Sequence, residues 1–111
     1  MIDARGFAVP FPLEVRVVAP DDALLSPAGE RDTGYVAVHM YRGMEWEPYF
    51  RAVEAIMDGF DGRPHWGKRH FQTAETLRPR YPGWDRFAAV RDRLDPDRVF
   101  TNAYVERVLG A

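Results

Sequence analysis

The sequence contains no cysteine, which excludes disulfide bonds, cysteine-ligated zinc and thiol catalysis. It also lacks a basic excess. Its 15 Lys and Arg residues stand against 17 Asp and Glu, so the net charge is −2 and the two signs are interspersed along the chain. Proteins that neutralise a phosphate backbone carry a basic patch or stripe. Nucleic acid is therefore not an expected partner.

Long apolar runs are absent as well. No stretch approaches the roughly 20 apolar residues that cross a bilayer, and Pro10 and Pro12 interrupt the first apolar segment. The opening residues, Met-Ile-Asp-Ala-Arg-Gly, have neither the basic nor the apolar region of a signal peptide. We expect a cytoplasmic or membrane-peripheral location and a single domain over residues 1–111.

Several catalytic and binding motifs are missing. The sequence has no Walker sequence, no glycine-rich dinucleotide fingerprint, no HExxH pattern and no Ser-His-Asp motif. His65 and His70 are five residues apart, which matches neither the helical nor the strand spacing of paired metal ligands. His39 lies far from both in the sequence. We therefore predict no metal site.

Two segments alternate in the manner of β-strands, residues 11–18 and residues 34–41. Residues 19–33, between them, are rich in turn formers and predict a long loop. A lone pair of strands is marginally stable in water. The sheet is therefore expected to gain strands from another part of a longer chain or from a second copy.

Helical patterns follow the strands. The first helix is predicted from about Glu45–Glu47 to Gly59, with a buried stripe at Tyr49, Val53, Ile56, Met57 and Phe60. A short helical turn is predicted to start at Thr73 and to stop before Pro79, because the residue preceding a proline is disfavoured in the α region. Two more helices are predicted over about 84–94 and 103–109. The order indicates an α+β fold with a small antiparallel sheet and flanking helices.

Glu14 and Arg16 are the first candidate functional residues. They are two positions apart on a predicted strand, so both side chains point to the same side. On an exposed strand they would be an ordinary surface pair. On a central strand, a polar pair among apolar neighbours is typical of a site for hydroxylated ligands.

The second candidate is the segment His65-Trp66-Gly67-Lys68. Gly67 allows the backbone to approach a flat or bulky ligand, and Lys68 offers a compact positive charge. The alternative interpretation places Trp66 in the core, Lys68 at the surface and His65 against a nearby carbonyl.

Three motifs together resemble one enzyme family: residues 12–16 (PLEVR), 63–68 (RPHWGK) and 94–104 (LDPDRVFTNAY). Their order resembles that of the aldonolactone oxidases, which include D-arabinono-1,4-lactone oxidase, and of the related sugar-alcohol (alditol) oxidases. These are FAD-linked enzymes of the vanillyl-alcohol-oxidase class. The resemblance covers about residues 11–110. Arg98 stands where the family frequently has glycine, a departure that affects only a turn.

The resemblance implies that the chain is the C-terminal cap, or substrate-facing, part of a flavoprotein whose FAD-binding domain is separate. It implies catalytic roles for Glu14, Arg16 and Lys68. It also implies substrate contacts from Glu14, Arg16 and Trp66, and cofactor contacts from His65, Lys68 and Arg16. The substrate would be a sugar lactone or a polyol. Alone, the chain is expected not to retain FAD, not to turn over, and to self-associate.

Within this expectation, Arg16 or Lys68 stabilises the negative charge that develops at the flavin edge. Glu14 is expected to bind sugar hydroxyls instead of acting as the base, because the adjacent Arg16 cation stabilises its carboxylate. Two other interpretations stay open. One is a free-standing α+β binding or structural domain, and the other is a small dimeric α+β-barrel enzyme whose two sheets complete each other.

Overall fold

A computed structural model of the chain describes residues 2–111, and the predicted α+β class with a small antiparallel sheet is confirmed. A short helix that the sequence patterns did not predict precedes the hairpin, and the remaining helices follow it. The elements are α1 (Ile2–Arg5), β1 (Glu14–Val18), β2 (Thr33–Ala37), α2 (Glu47–Asp58), α3 (Ala74–Leu77), a 3₁₀ turn (Arg78–Arg80), α4 (Trp84–Leu94) and α5 (Ala103–Leu109).

The hairpin is shorter than its alternating pattern predicts. β1 pairs antiparallel with β2, and Glu14 lies opposite Ala37 at the open end of the ladder. Continuing this register would bring residues 38–41 opposite residues 10–13. Pro10 and Pro12 lie there, and proline has no N–H to donate to a ladder. The predicted start at residue 11 and end at residue 41 are therefore both wrong for the same reason.

The long loop between the strands is predicted correctly and has its own internal hydrogen bonds. The Asp21 carboxylate accepts from the Ala23 N–H at 2.9 Å and from the Ser26 hydroxyl at 2.5 Å. The Arg63 guanidinium donates to the carbonyls of Gly29 at 2.8 Å and Arg80 at 2.6 Å. Arg63 therefore ties this loop to the helical part of the chain.

Helix α2 begins and ends close to the predicted positions, with proline in its first turn and Gly59 at its C-cap. The predicted buried stripe is only partly correct. Tyr49 is buried, as is Ala52, whereas Ile56 is 44% exposed and Phe60 is 75% exposed. Val53 and Met57 are partly buried, so the stripe is covered in part and is open at Ile56 and Phe60.

The hydrophobic core lies in the C-terminal half, where α3, the 3₁₀ turn, α4 and α5 meet. Its buried members are Leu77, Tyr81, Trp84 and Val108. α3 ends at Leu77, as the pattern predicts, but helical geometry continues through Pro79 as the 3₁₀ turn. A proline is accepted there because the first positions of a helix need no internal N–H donor.

The predicted spans of α4 and α5 are confirmed, and their ends show why. The Asn102 side chain caps α5 by accepting from the Val105 N–H at 2.9 Å. Gly110 ends α5 with a φ of 80°, which glycine adopts without strain.

No helix within residues 2–111 is long and apolar enough to cross a membrane.

The chain is more extended than a typical domain of its length. Its radius of gyration is 15.9 Å, against about 13 Å expected for a compact chain of this size. Its accessible surface is 7813 Å², against about 6,300 Å² expected for a monomer of this mass. Part of this surface is apolar and lies on the hairpin, where Val15 is 68% and Val17 is 88% exposed.

Replacing Leu77 with alanine should strongly destabilise the chain. Leu77 is fully buried, so the substitution removes buried apolar volume and leaves a cavity. We expect a loss of about 2–5 kcal/mol in the free energy of unfolding, measured by urea titration with circular dichroism. Leu94→Ala is the matched control, because Leu94 is 71% exposed and its truncation should cost well under 1 kcal/mol.

We also expect the 111-residue chain to self-associate. The hairpin exposes apolar side chains and two strand edges, and both favour association with another chain. Sedimentation velocity should show an average mass that rises with protein concentration. Val17→Lys should reduce that rise, and a concentration-independent monomer would contradict the expectation.

Candidate functional site

The hairpin brings Glu14, Arg16 and His39 together. Arg16 donates from its guanidinium to the Glu14 carboxylate, so the two side chains lie on the same side of β1, as predicted. The His39 Nε2 atom lies 3.7 Å from the second Glu14 carboxylate oxygen. The three side chains form a polar cluster, here called the hairpin triad. Glu14 and Arg16 lie on β1, whose other residues are valine, and His39 lies two residues past the end of β2.

The hairpin triad is accessible to a ligand. The exposed fractions of its side chains are 41% for Glu14, 72% for Arg16 and 45% for His39. An ion pair this exposed contributes at most about 1 kcal/mol to folding, so its role in stability is small. A ligand that replaced water around these groups would meet acceptors and donors side by side.

A second group of predicted residues lies in an open cleft of about 600 Å³, here called the Lys68 cleft. Both Trp66 and Lys68 line it. The other lining residues are Trp46, Gly67, Arg69, His70, Phe71, Tyr104 and Arg107. No hydrogen bond or ion pair within residues 2–111 joins the Lys68 cleft to the hairpin triad, and no residue of the hairpin triad lines the cleft.

His65 does not line the Lys68 cleft. Its Nδ1 atom accepts from the Gly67 N–H at 3.0 Å, and its carbonyl accepts from the Lys68 N–H at 3.0 Å. The imidazole is exposed to solvent. In this structure His65 therefore braces the turn that presents Lys68.

The walls of the Lys68 cleft are aromatic and its charges are positive. The Arg69 guanidinium lies over the Trp46 ring, 4.4 Å from its centre. The Trp66 indole N–H donates to the Leu25 carbonyl at 2.8 Å, which fixes that ring. Within residues 2–111, Lys68 forms no ion pair with a carboxylate. The cleft therefore combines flat apolar walls with an uncompensated ammonium.

His70 and Tyr104 form a hydrogen-bonded pair at the base of the cleft. His70 is buried, its Nε2 lies 3.0 Å from the Tyr104 hydroxyl, and that hydroxyl donates to the Trp66 carbonyl. Burial, and secondarily the charge of Arg107, lowers the pKa of His70 to about 4. Burial also raises the pKa of Tyr104 above its usual value. Both side chains are therefore neutral at neutral pH.

Sequence reasoning missed His39, His70 and Tyr104 as site residues. His39 reaches Glu14 only in the antiparallel register of the hairpin, which no local pattern specifies. His70 and Tyr104 are 34 positions apart and meet through helix packing. Tyr104 is the last residue of the third family-like motif, residues 94–104. Its place in that motif was the one sequence signal that could have marked it as a site residue.

Residues 1–108 match the D-arabinono-1,4-lactone oxidase family. The chain is 68% identical to an L-gulono-1,4-lactone dehydrogenase of Mycobacterium tuberculosis over 110 residues, covering 99% of this chain and 26% of that protein. It is 43% identical to L-gulonolactone oxidase of Bos taurus over 102 residues, covering 88% and 23%. It is also 43% identical to an alditol oxidase of a Streptomyces species over 99 residues, covering 86% and 23%. The chain spans about a quarter of the length of these relatives.

The low pKa of His70 predicts a pH-dependent loss of stability. The unfolded chain binds a proton at this histidine near pH 6.5, whereas the folded chain does so only near pH 4. Acidification through that window therefore favours the unfolded state, by up to about 3 kcal/mol from this group.

The His70→Gln variant should lack the part of the acid-induced loss of stability that comes from His70. Urea unfolding at pH 7 and pH 4.5 should show a smaller drop in the free energy of unfolding for this variant than for the wild-type chain. His39→Gln is the matched control, since it removes a half-exposed histidine. An equal drop in His70→Gln and wild type would contradict the prediction.

Proposed function

The chain belongs to the D-arabinono-1,4-lactone oxidase family, and from this premise we propose that it forms the substrate-facing part of an FAD-dependent oxidoreductase. Its substrate would be an aldonolactone or a sugar alcohol. The names of the relatives support that substrate class, because two are gulonolactone enzymes and one is an alditol oxidase. Their much greater length supports a separate FAD-binding domain in the complete enzyme.

The hairpin triad is the observation that carries the proposal. A sugar lactone or polyol presents adjacent hydroxyls, each of which both donates and accepts a hydrogen bond. The Glu14 carboxylate accepts such bonds, while the Arg16 guanidinium and the neighbouring His39 imidazole can donate them. The Glu14 carboxylate contacts Arg16 and lies 3.7 Å from the His39 imidazole, and this spacing suits a small polyhydroxylated molecule.

The Lys68 cleft fits one part of the cofactor. Bound FAD would supply hydride acceptance, after which one edge of its ring carries negative charge. The uncompensated Lys68 ammonium suits that charge, and the flat Trp66 wall suits a ring system. The sequence has no glycine-rich fingerprint for the pyrophosphate, so we assign that part of FAD to the separate domain. We also propose cofactor contacts from Arg16 and His65, which the resemblance to the family supports.

We assign distinct tasks to these side chains. Glu14 accepts the hydrogen bonds of substrate hydroxyls and sets the orientation of the substrate. Arg16 and Lys68 stabilise negative charge that develops during oxidation, where fixed cations act with little reorganisation. Without the FAD-binding domain the chain offers the cofactor only one wall, so we propose that it is inactive alone.

In the complete enzyme, Arg16→Ala should lower the rate of oxidation at saturating substrate by about 10²–10³, because it removes a charge that acts in the transition state. Glu14→Gln should mainly weaken substrate affinity, because an amide accepts hydrogen bonds less well than a carboxylate. Stopped-flow absorbance with L-gulono-1,4-lactone, D-arabinono-1,4-lactone and an alditol would give two constants for each substrate, the oxidation rate at saturation and the dissociation constant.

Arg78→Ala and Asp85→Asn are matched controls, because they disrupt another exposed ion pair, whose atoms lie 3.0 Å apart. Both should leave the two constants unchanged. If Glu14→Gln abolished oxidation at saturation and Arg16→Ala spared it, the two roles would be reversed and Glu14 would be the base. If neither lactone nor alditol were oxidised by the wild type, the proposed substrate class would fail.

A further inference from the structure

The backbone holds Lys68 in place, because the lysine side chain has no anchor of its own. Within residues 2–111 the ammonium forms no hydrogen bond or ion pair. The backbone N–H of Lys68 donates to the His65 carbonyl at 3.0 Å, and this hydrogen bond closes a turn over residues 65–68. The direction in which Lys68 points therefore depends on the geometry of that turn.

The Tyr104 hydroxyl holds the carbonyl in the middle of this turn. It donates to the Trp66 carbonyl, and the His70 Nε2 atom lies 3.0 Å away. A hydroxyl has one proton and a carbonyl can only accept, so His70 must donate from Nε2 to the Tyr104 oxygen. The hydrogen bonds therefore run in one direction, from His70 through Tyr104 to Trp66.

This chain of hydrogen bonds is attached to the hydrophobic core. Tyr104 lies in the first turn of α5, which Asn102 caps. Val108, one turn further along the same helix, is 2% exposed and belongs to the core cluster with Leu77. A shift of the turn relative to the core would therefore break the hydrogen bond to Trp66.

We infer that Tyr104 and His70 are positioning residues, which fix the Trp66 carbonyl and thereby set the direction in which the 65–68 turn presents Lys68. The inference rests on the proposed function of Lys68. The geometry of the turn can nevertheless be measured in the free chain, without substrate or cofactor. A failure of the positioning inference is therefore distinguishable from a failure of the proposed function of Lys68.

Lys68 is the only lysine in the sequence, so [¹⁵N]lysine labelling of the full 111-residue chain gives a single backbone amide signal. Tyr104→Phe removes only the hydroxyl. We expect exchange of the Lys68 amide proton with solvent to become about tenfold faster, as loss of one net hydrogen bond predicts, together with a shifted signal. His70→Leu should act in the same direction. His70→Gln, which keeps a side-chain N–H donor, should restore slow exchange.

Tyr81→Phe is the matched control. The Tyr81 hydroxyl is buried and has no hydrogen-bond partner within the described residues, so its removal should leave Lys68 exchange unchanged. Unchanged exchange in a folded Tyr104→Phe chain would overturn the inference, as would equal acceleration in Tyr81→Phe. If circular dichroism shows that Tyr104→Phe does not fold, the two His70 variants decide, and equal rates in both would overturn it.

The complete enzyme supplies the functional readout. Tyr104→Phe should lower kcat in the same direction as Lys68→Met, by a smaller factor, with KM little changed. The double variant should be no slower than Lys68→Met alone, because the pair acts only through the lysine. Additive losses would overturn the inference. If Lys68→Met left kcat unchanged, the proposed function of Lys68 would fail, while the exchange result would still decide the geometry.

Discussion

Packing of Val108 on α5 against Leu77 on α3 is the contact on which the C-terminal half of the chain depends. α5 has seven residues, too few for a stable helix in isolation, so its structure comes from this packing and from its Asn102 cap. Because α5 is held in this way, Tyr104 can reach the Trp66 carbonyl. The Lys68 cleft is thus a consequence of the core, although Lys68 itself contributes nothing to the core.

The hairpin depends on a different set of interactions. Its strands are joined to each other, while Val15 and Val17 on β1 remain mostly exposed. A two-stranded ladder has little stability of its own, so a surface that covered these valines would fix the position of the hairpin as well as bury apolar area. Such a surface would also determine how far the hairpin triad lies from the Lys68 cleft. Within residues 2–111 no hydrogen bond or ion pair joins the two halves of the proposed site, so only such a surface could fix their separation.

Local signals predicted the fold wherever the physical cause was local. The spans of α4 and α5 follow from terminating and capping residues near their ends, and the structure confirms both. The predicted hairpin ends were wrong because alternation does not show that continued pairing would bring Pro10 and Pro12 into the ladder. The prediction of the buried face of α2 was partly wrong, because periodicity shows only which residues could be buried. Phe60 fits the pattern, but no part of residues 2–111 covers it and it is 75% exposed. Similarly, the Glu14–Arg16 pair was predictable, whereas the contact between His70 and Tyr104 required the tertiary fold.

The choice of lysine at position 68 has a physical basis in the walls around it. Fourteen of the 15 basic residues are arginine, and Lys68 is the exception. Arginine guanidinium groups lie over aromatic rings in this chain, as Arg69 does over Trp46 and Arg51 does over Phe71, 3.8 Å from its centre. An arginine at position 68 would have the same walls to stack on, and its charge would be spread along them. A compact, strongly hydrated ammonium is less suited to stacking and stays in the open cleft, where a ligand's negative charge can reach it.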